Sequence, residues 1–399
     1  MVGVIPRLRP SAVVAIALLA FACGGGPKAD PAPSPGEGVT MITPPPESLR
    51  AAPDLFPPAP VIVRAERPRA WDDLDTNTVR LPILVATTRR AVAAERPGFR
   101  FGTTDANDLS WGLSQVTVPS YRVRAEGEIP LPGSEADPDP SRLMFMNSLI
   151  PADSNRFLQR VSDDLSRTKS RDILVFVHGY NSSFEEAAVR LAQLVADMGY
   201  DGTAVLFSWP SAGALSGYVR DQQTARNAGW HLLRLLRDQL PRTNPDRIHV
   251  IAHSMGSEVL SKALSLIDRG DSLPQLGQVV FAAPDVDARI FGREILPTLR
   301  QRAQGVTLYA SSEDEALRAS RVLNGVWRLG LGGDSLSVFD GMTTVDATRV
   351  RGDVLGHTLF GNAALLSDLF AVLTEGRKPN ERRLLQVRRA DGSVYWRFR

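Results

Sequence analysis

Several residue types that would point to other kinds of protein are scarce or missing. The 399 residues include a single cysteine, so neither an internal disulfide nor a cysteine-built zinc site can form. Only Lys28, Lys169, Lys262 and Lys378 are lysines. The other basic side chains are arginines, which stay charged and cannot serve as bases. Charge of one sign is also missing. The 46 basic and 44 acidic side chains leave a net +2. A chain gripping nucleic acid through its phosphates would carry a larger excess, so no nucleic-acid partner is expected. Of the five histidines His249 and His253 stand four apart, but they fall in a strand, where that spacing sets them about 13 Å apart, so no metal or cofactor is read from the sequence. What is present, 43% apolar and 23% charged residues, is the make-up of a folded globular chain and excludes disorder throughout.

The amino terminus reads as a leader. Arg7 and Arg9 precede SAVVAIALLAFA (11–22), an uncharged apolar run of twelve residues that is too short to span a bilayer. It ends at Cys23, followed by three glycines. This layout resembles a bacterial lipoprotein signal, in which lipid is attached to the cysteine after cleavage. Ala20 stands where such signals usually carry leucine. The expectation is a signal peptide over 1–22, a lipid anchor on Cys23, and a mature chain held at a membrane of the bacterial cell envelope. Residues 23–75 read as a disordered spacer, since 12 of the 29 prolines fall between residues 24 and 70 and there is little to bury.

From residue 76 to 376 the pattern is that of one α/β domain. LPILVATTRR (81–90), SQVTVPS (114–120) and RLMFMNSLI (142–150) read as strands, followed by a helix over 152–167. DILVFVHG, TAVLFSWPS, RIHVIAHS, QVVFAAPD and GVTLYASS are short, continuously apolar strands, with helical stretches between them. Ser183 and Glu186 form a capping box at the start of one of these helices. Continuous apolar runs imply burial on both faces, and the alternation implies a mostly parallel central sheet with helices on both faces. In such sheets ligands bind at the carboxyl ends of the strands. LLQVRRADGSVYWRF, within the basic segment 377–399, reads as a hairpin turning at Asp391-Gly392.

The residues just after the strands therefore carry the functional reading. Ser254 lies between a strand and a helix, with Ala252 two residues before it, His253 adjacent and Gly256 two residues after. A nucleophilic serine on a sharp strand-to-helix turn needs small residues at those two places. The usual residue at the first is glycine, so Ala252 adds one methyl group. The same small-x-Ser-x-Gly pattern recurs at residues 32–36 without a strand or helix around it, so the context carries the assignment. The general base should follow the serine in the chain, and His357 is the only histidine that does. Asp314, after the GVTLYASS strand, is the first candidate for the acid. Asp285 and Asp287, after the strand before it, remain alternatives, and both also suit the cap of the helix that follows. The backbone N–H groups of Met255 and Tyr180 are the candidate oxyanion donors, with His178 bracing the Tyr180 loop. Trp209-Pro210-Ser211 either lines the substrate pocket or packs beneath it.

Together, VFVHGYNSSFEEA, FSWPS, IAHSMGS, FAAPDVDA, LYASSEDEAL and LGHTLF resemble the α/β-hydrolase superfamily, and within it a bacterial esterase/lipase-like lineage whose function is uncharacterised. The resemblance spans roughly residues 80 to 370. It implies the α/β-hydrolase fold and a triad of Ser254, Asp314 and His357, and says little about substrate. The expected activity is hydrolysis of a small-molecule or lipid carboxylic ester through an acyl-enzyme. An amidase or peptidase with the same triad is one rival, and a non-catalytic scaffold on the same fold is another. Cys23→Ser is expected to shift the protein from the membrane to the soluble fraction on fractionation, and a variant that stays bound would rule out the lipid anchor.

Overall fold

The structure is a computed structural model and describes residues 78–93, 99–121, 123–133, 137–267, 274–350, 357 and 359–399. The expected signal peptide, Cys23 and the proline-rich spacer lie outside the described residues. Among those described, no helix is long and apolar enough to cross a membrane.

An eleven-stranded sheet organises the chain. Its strands are β1 (Thr78–Ala93), β2 (Phe99–Pro119), β3 (Phe145–Ala152), β4 (Asp172–Val177), β5 (Thr203–Ser208), β6 (Arg247–His253), β7 (Leu276–Ala282), β8 (Ala303–Ala310), β9 (Thr343–Asp346), β10 (Leu384–Arg388) and β11 (Val394–Phe398). They lie in the order β10-β11-β9-β8-β7-β6-β4-β5-β1-β2-β3. Every neighbouring pair from β1 to β11 across the middle is parallel, and the pairs β1–β2, β2–β3 and β10–β11 at the two ends are antiparallel. The principal helices are α1 (Ser154–Leu165), α2 (Phe184–Met198), α3 (Tyr218–Arg234), α4 (Gly256–Ser265), α5 (Glu315–Asn324) and α6 (Ala363–Leu373). This is the mostly parallel α/β architecture that the strand and helix alternation predicts.

Strand β4 shows why the central strands read as unbroken apolar runs. Leu174 and Phe176 point into one core together with α2 and α6. Ile173, Val175 and Val177, on the opposite side of the strand, are also fully buried, on the face where α3 and α4 pack together. The α3–α4 approach is close enough that a Cβ on Gly229 would lie 2.6 Å from the Lys262 side chain. Helix α2 begins at the predicted capping box. Ser183 accepts from the Glu186 N–H at 3.1 Å, and the Glu186 carboxylate accepts from the Ser183 N–H at 2.8 Å.

Two differences from the sequence reading have physical causes. Strand β2 begins fifteen residues before the apolar run that marked it, because its polar first half, including TTDANDLS, is held by antiparallel pairing to β1 rather than by burial. The basic segment 377–399 does form the hairpin, with Gly392 at φ +85°, but β11 pairs with β9 and so extends the same sheet beyond the boundary read at residue 376. That junction is sealed by a buried cluster. Tyr309 on β8 donates to Asp368 on α6 at 2.7 Å, and Arg382 donates to both Asp368 oxygens at 2.8 and 2.5 Å. Truncating Arg382 would leave a buried carboxylate without its counter-ion. Arg382→Met is therefore expected to cost about 3 kcal/mol in denaturant unfolding.

Candidate active site

The chain reverses direction across the sheet between β4 and β6. It leaves β4 towards β5 on one side and returns through α3 to β6 on the other. Such a reversal opens a crevice at the strand carboxyl ends. Val177 pairs with Ala252, so the two strands end level and the turns that follow are side by side.

The turn after β6 is sharply strained. Ser254 sits at φ +50°, in the left-handed region that side-chain-bearing residues seldom enter. Its N–H donates to Ala282 O at 3.0 Å, and its carbonyl accepts from the N–H groups of Ser257 at 3.0 Å and Asp285 at 3.1 Å. Two glycines make room for it. A Cβ on Gly256 would fall 2.4 Å from His178 O, and one on Gly179 would fall 2.9 Å from the Ser254 Cβ. Ala252 is fully buried in β6, in register with Val177 and Phe281, so its extra methyl is accommodated.

The structure brings Ser254, His357 and Asp314 together. The Ser254 Oγ is 2.7 Å from His357 Nε2, and His357 Nδ1 is 2.8 Å from an Asp314 oxygen. A carboxylate only accepts, so Nδ1 carries the proton and Nε2 is free to accept from the serine. Asp314 is fully buried and divides its oxygens, since the second accepts from the Leu317 N–H at 2.9 Å and caps α5. A serine hydroxyl bonded in this way has a base positioned to take its proton as it attacks.

The alternative acids are engaged elsewhere. Asp285 accepts from Ser320 at 2.5 Å, Arg328 at 2.6 Å and the Tyr218 hydroxyl at 2.8 Å, which uses both of its oxygens. Asp287 caps the short helix at Ala288–Ile290, accepting from Arg289 N at 2.8 Å. Among the described residues, no group of three or more His, Cys, Asp or Glu is placed to hold a metal ion.

The loop carrying Tyr180 is braced from beneath. Buried His178 stacks on Trp209 with the rings 5.2 Å apart and only 8° from parallel. The Trp209 N–H donates to His178 Nε2 at 3.2 Å, so the ring proton is on Nδ1, which donates to Gly179 O at 2.9 Å. The Trp209 indole N–H in turn donates to His178 O at 2.8 Å. Trp209 is fully buried, which decides between the two readings of that segment in favour of packing beneath the site. Tyr180 donates its hydroxyl to Ala214 O at 3.1 Å and sets its ring edge-on to Tyr218, 5.5 Å away. Met255 stands immediately before α4, at the helix end where N–H groups favour negative charge.

Further side chains complete the site. The ring of His253, next to the serine in the chain, lies 5.2 Å from that of His357, and its Nε2 is 3.5 Å from the His357 carbonyl. Tyr218, Ser320 and Arg328 come from three separate segments and meet around Asp285, where the Tyr218 and Ser320 hydroxyls also lie 2.7 Å apart. Their spacing in the chain carries no pattern to read.

A family model described as an alpha/beta hydrolase of unknown function (DUF900) matches residues 153–375, which is more than half of the chain. No curated protein matches it.

Burial, reinforced by the charge of Arg89, lowers the His178 pKa from 6.5 to about 3, and burial followed by the nearby His357 lowers that of His253 well below the usual value. Between those limits the unfolded chain binds protons that the folded chain refuses, so stability falls as pH falls. His178 contributes a slope of about 1.4 kcal/mol per pH unit inside that window, and His253 adds to it in the same direction. The thermal midpoint is expected to drop steadily from pH 6.5 towards about pH 4, and less steeply in a His178→Gln variant.

Proposed function

Because the chain belongs to this alpha/beta hydrolase family, we propose that it is a serine hydrolase that cleaves carboxylic esters at the bacterial cell envelope. The observation that carries the proposal is the hydrogen-bonded line from Ser254 through His357 to buried Asp314, built on a strained turn. Ser254 Oγ attacks the ester carbonyl while His357 Nε2 takes its proton. Asp314 holds the imidazole in that tautomer and stabilises the imidazolium. The N–H groups of Met255 and Tyr180 receive the carbonyl oxygen as it becomes negative. The intermediate collapses, His357 protonates the departing alcohol, and an acyl group remains on Ser254. Water, deprotonated by His357, then releases the acid and restores the serine. The scheme needs only side chains, backbone and water. The leader ending in Cys23 supports attachment to the envelope, and a lipid or small-molecule ester suits that location. An amidase would use the same groups, and a paired panel of ester and amide substrates separates the two.

Fluorophosphonate labelling followed by mass spectrometry is expected to modify Ser254. A folded protein that takes no label would favour a scaffold role. Ser254→Ala should abolish turnover, and Asp314→Asn should lower kcat by about 10⁴-fold through the wrong tautomer. Such a loss in Asp285→Asn with Asp314→Asn active would move the acid role to Asp285.

A further inference from the structure

Arg89 is a fully buried cation whose position no function above accounts for. It lies near the end of β1, where register shifts on either side of it interrupt the ladder to β2. Such irregularities re-aim a side chain, and here three consecutive residues, Thr87, Thr88 and Arg89, are all buried. Among the described residues, none of the hydrogen bonds recorded for its guanidinium goes to a carboxylate. Nε donates to Ser208 Oγ at 2.9 Å. One terminal nitrogen donates to Gly102 O at 2.9 Å and Ser211 O at 3.2 Å, and the other to Ser182 O at 2.8 Å.

Gly102 lies in β2, whereas Ser182, Ser208 and Ser211 lie at or just beyond the carboxyl ends of β4 and β5. Ser182 is two residues beyond Tyr180, and Ser208 and Ser211 flank Trp209. The Ser208 hydroxyl accepts from Arg89 and lies 3.1 Å from His178 Nε2, to which it can donate. The segment His178-Gly179-Tyr180 is therefore held at both ends by one guanidinium, at Ser182 directly and at His178 through Ser208. Burial lowers the Arg89 pKa to about 10, with Glu185, Asp221 and Glu186 nearby opposing the shift, so the group is charged at neutral pH.

Building on the serine hydrolase reading, we infer that Arg89 is the positioning residue of the oxyanion site: it fixes the Tyr180 N–H against Ser254 and supplies a fixed positive charge behind that loop. Both effects matter most once the substrate oxygen has become negative, so they act on the transition state rather than on the bound ester. A lysine could keep the charge but cannot reach four acceptors with one planar fork.

The test compares wild type, Arg89→Lys and Ser208→Ala by steady-state kinetics on a p-nitrophenyl ester and by affinity for an aryl boronate that forms a tetrahedral adduct on serine. Arg89→Lys is expected to lower kcat by about 30-fold with KM changed less than threefold, and to weaken boronate binding by a similar factor. Ser208→Ala, which removes the bridge from Arg89 Nε to His178 and leaves the Arg89 bond to Ser182, should lower kcat by about tenfold in the same pattern. It decides the matter alone if Arg89→Lys does not fold. Unchanged kcat and boronate affinity, or a rise in KM alone, would overturn the inference. Failure of wild type to turn over or to take a fluorophosphonate label would instead sink the serine hydrolase reading, so the two failures are distinguishable.

Discussion

Two backbone turns at the ends of adjacent parallel strands occupy almost the same space. The elbow after β6 passes so close to the loop after β4 that a single methyl on Gly256 would overlap the His178 carbonyl. The packing that lets α4 lie against β4 and β6 also drives Ser254 into the left-handed region. Its carbonyl, held by Ser257 and Asp285, keeps it there. The strain is sustained because the surrounding backbone bonds over-determine it.

The partners of the serine arrive from distant parts of the chain, and separate polar clusters hold each in place. Asp314 follows β8 and His357 precedes α6. Tyr309, Asp368 and Arg382 join β8, α6 and the C-terminal segment in one buried cluster. On the other side of the serine, Asp285 gathers Tyr218, Ser320 and Arg328, and Tyr218 touches Tyr180. Removing one member of such a cluster strands its partner in a dry interior, whereas moving the whole cluster would break many contacts at once. Buried polar groups of this kind contribute little net stability but restrict the loops to one arrangement.

The electrostatics of the site follow from burial. His178 and His253 flank the serine in the fold, yet both are kept neutral and act as braces. His357 is the imidazole that meets the serine oxygen. Arg89 is buried and donates to three backbone carbonyls and the Ser208 hydroxyl, with Glu185, Asp221 and Glu186 near enough to favour its charged form.

Local pattern by itself determined the central strands, the helices between them, the capping box at Ser183 and the turn at Ser254, because each depends on residues a few positions apart. Chain order was enough to single out His357, and placement after the penultimate strand expected in the sheet put Asp314 first among the acids. Only the tertiary structure shows that Asp314, and not Asp285, meets the imidazole of His357. Both follow strands at the same edge, and the choice depends on which carboxylate finds Arg328, Tyr218 and Ser320 and which finds an imidazole. The polar half of β2, the joining of the C-terminal hairpin to the sheet, the packing role of Trp209 and the burial of Arg89 also belong to the tertiary level. Each is set by contacts between segments tens to hundreds of residues apart, and such contacts leave no periodic trace in the chain.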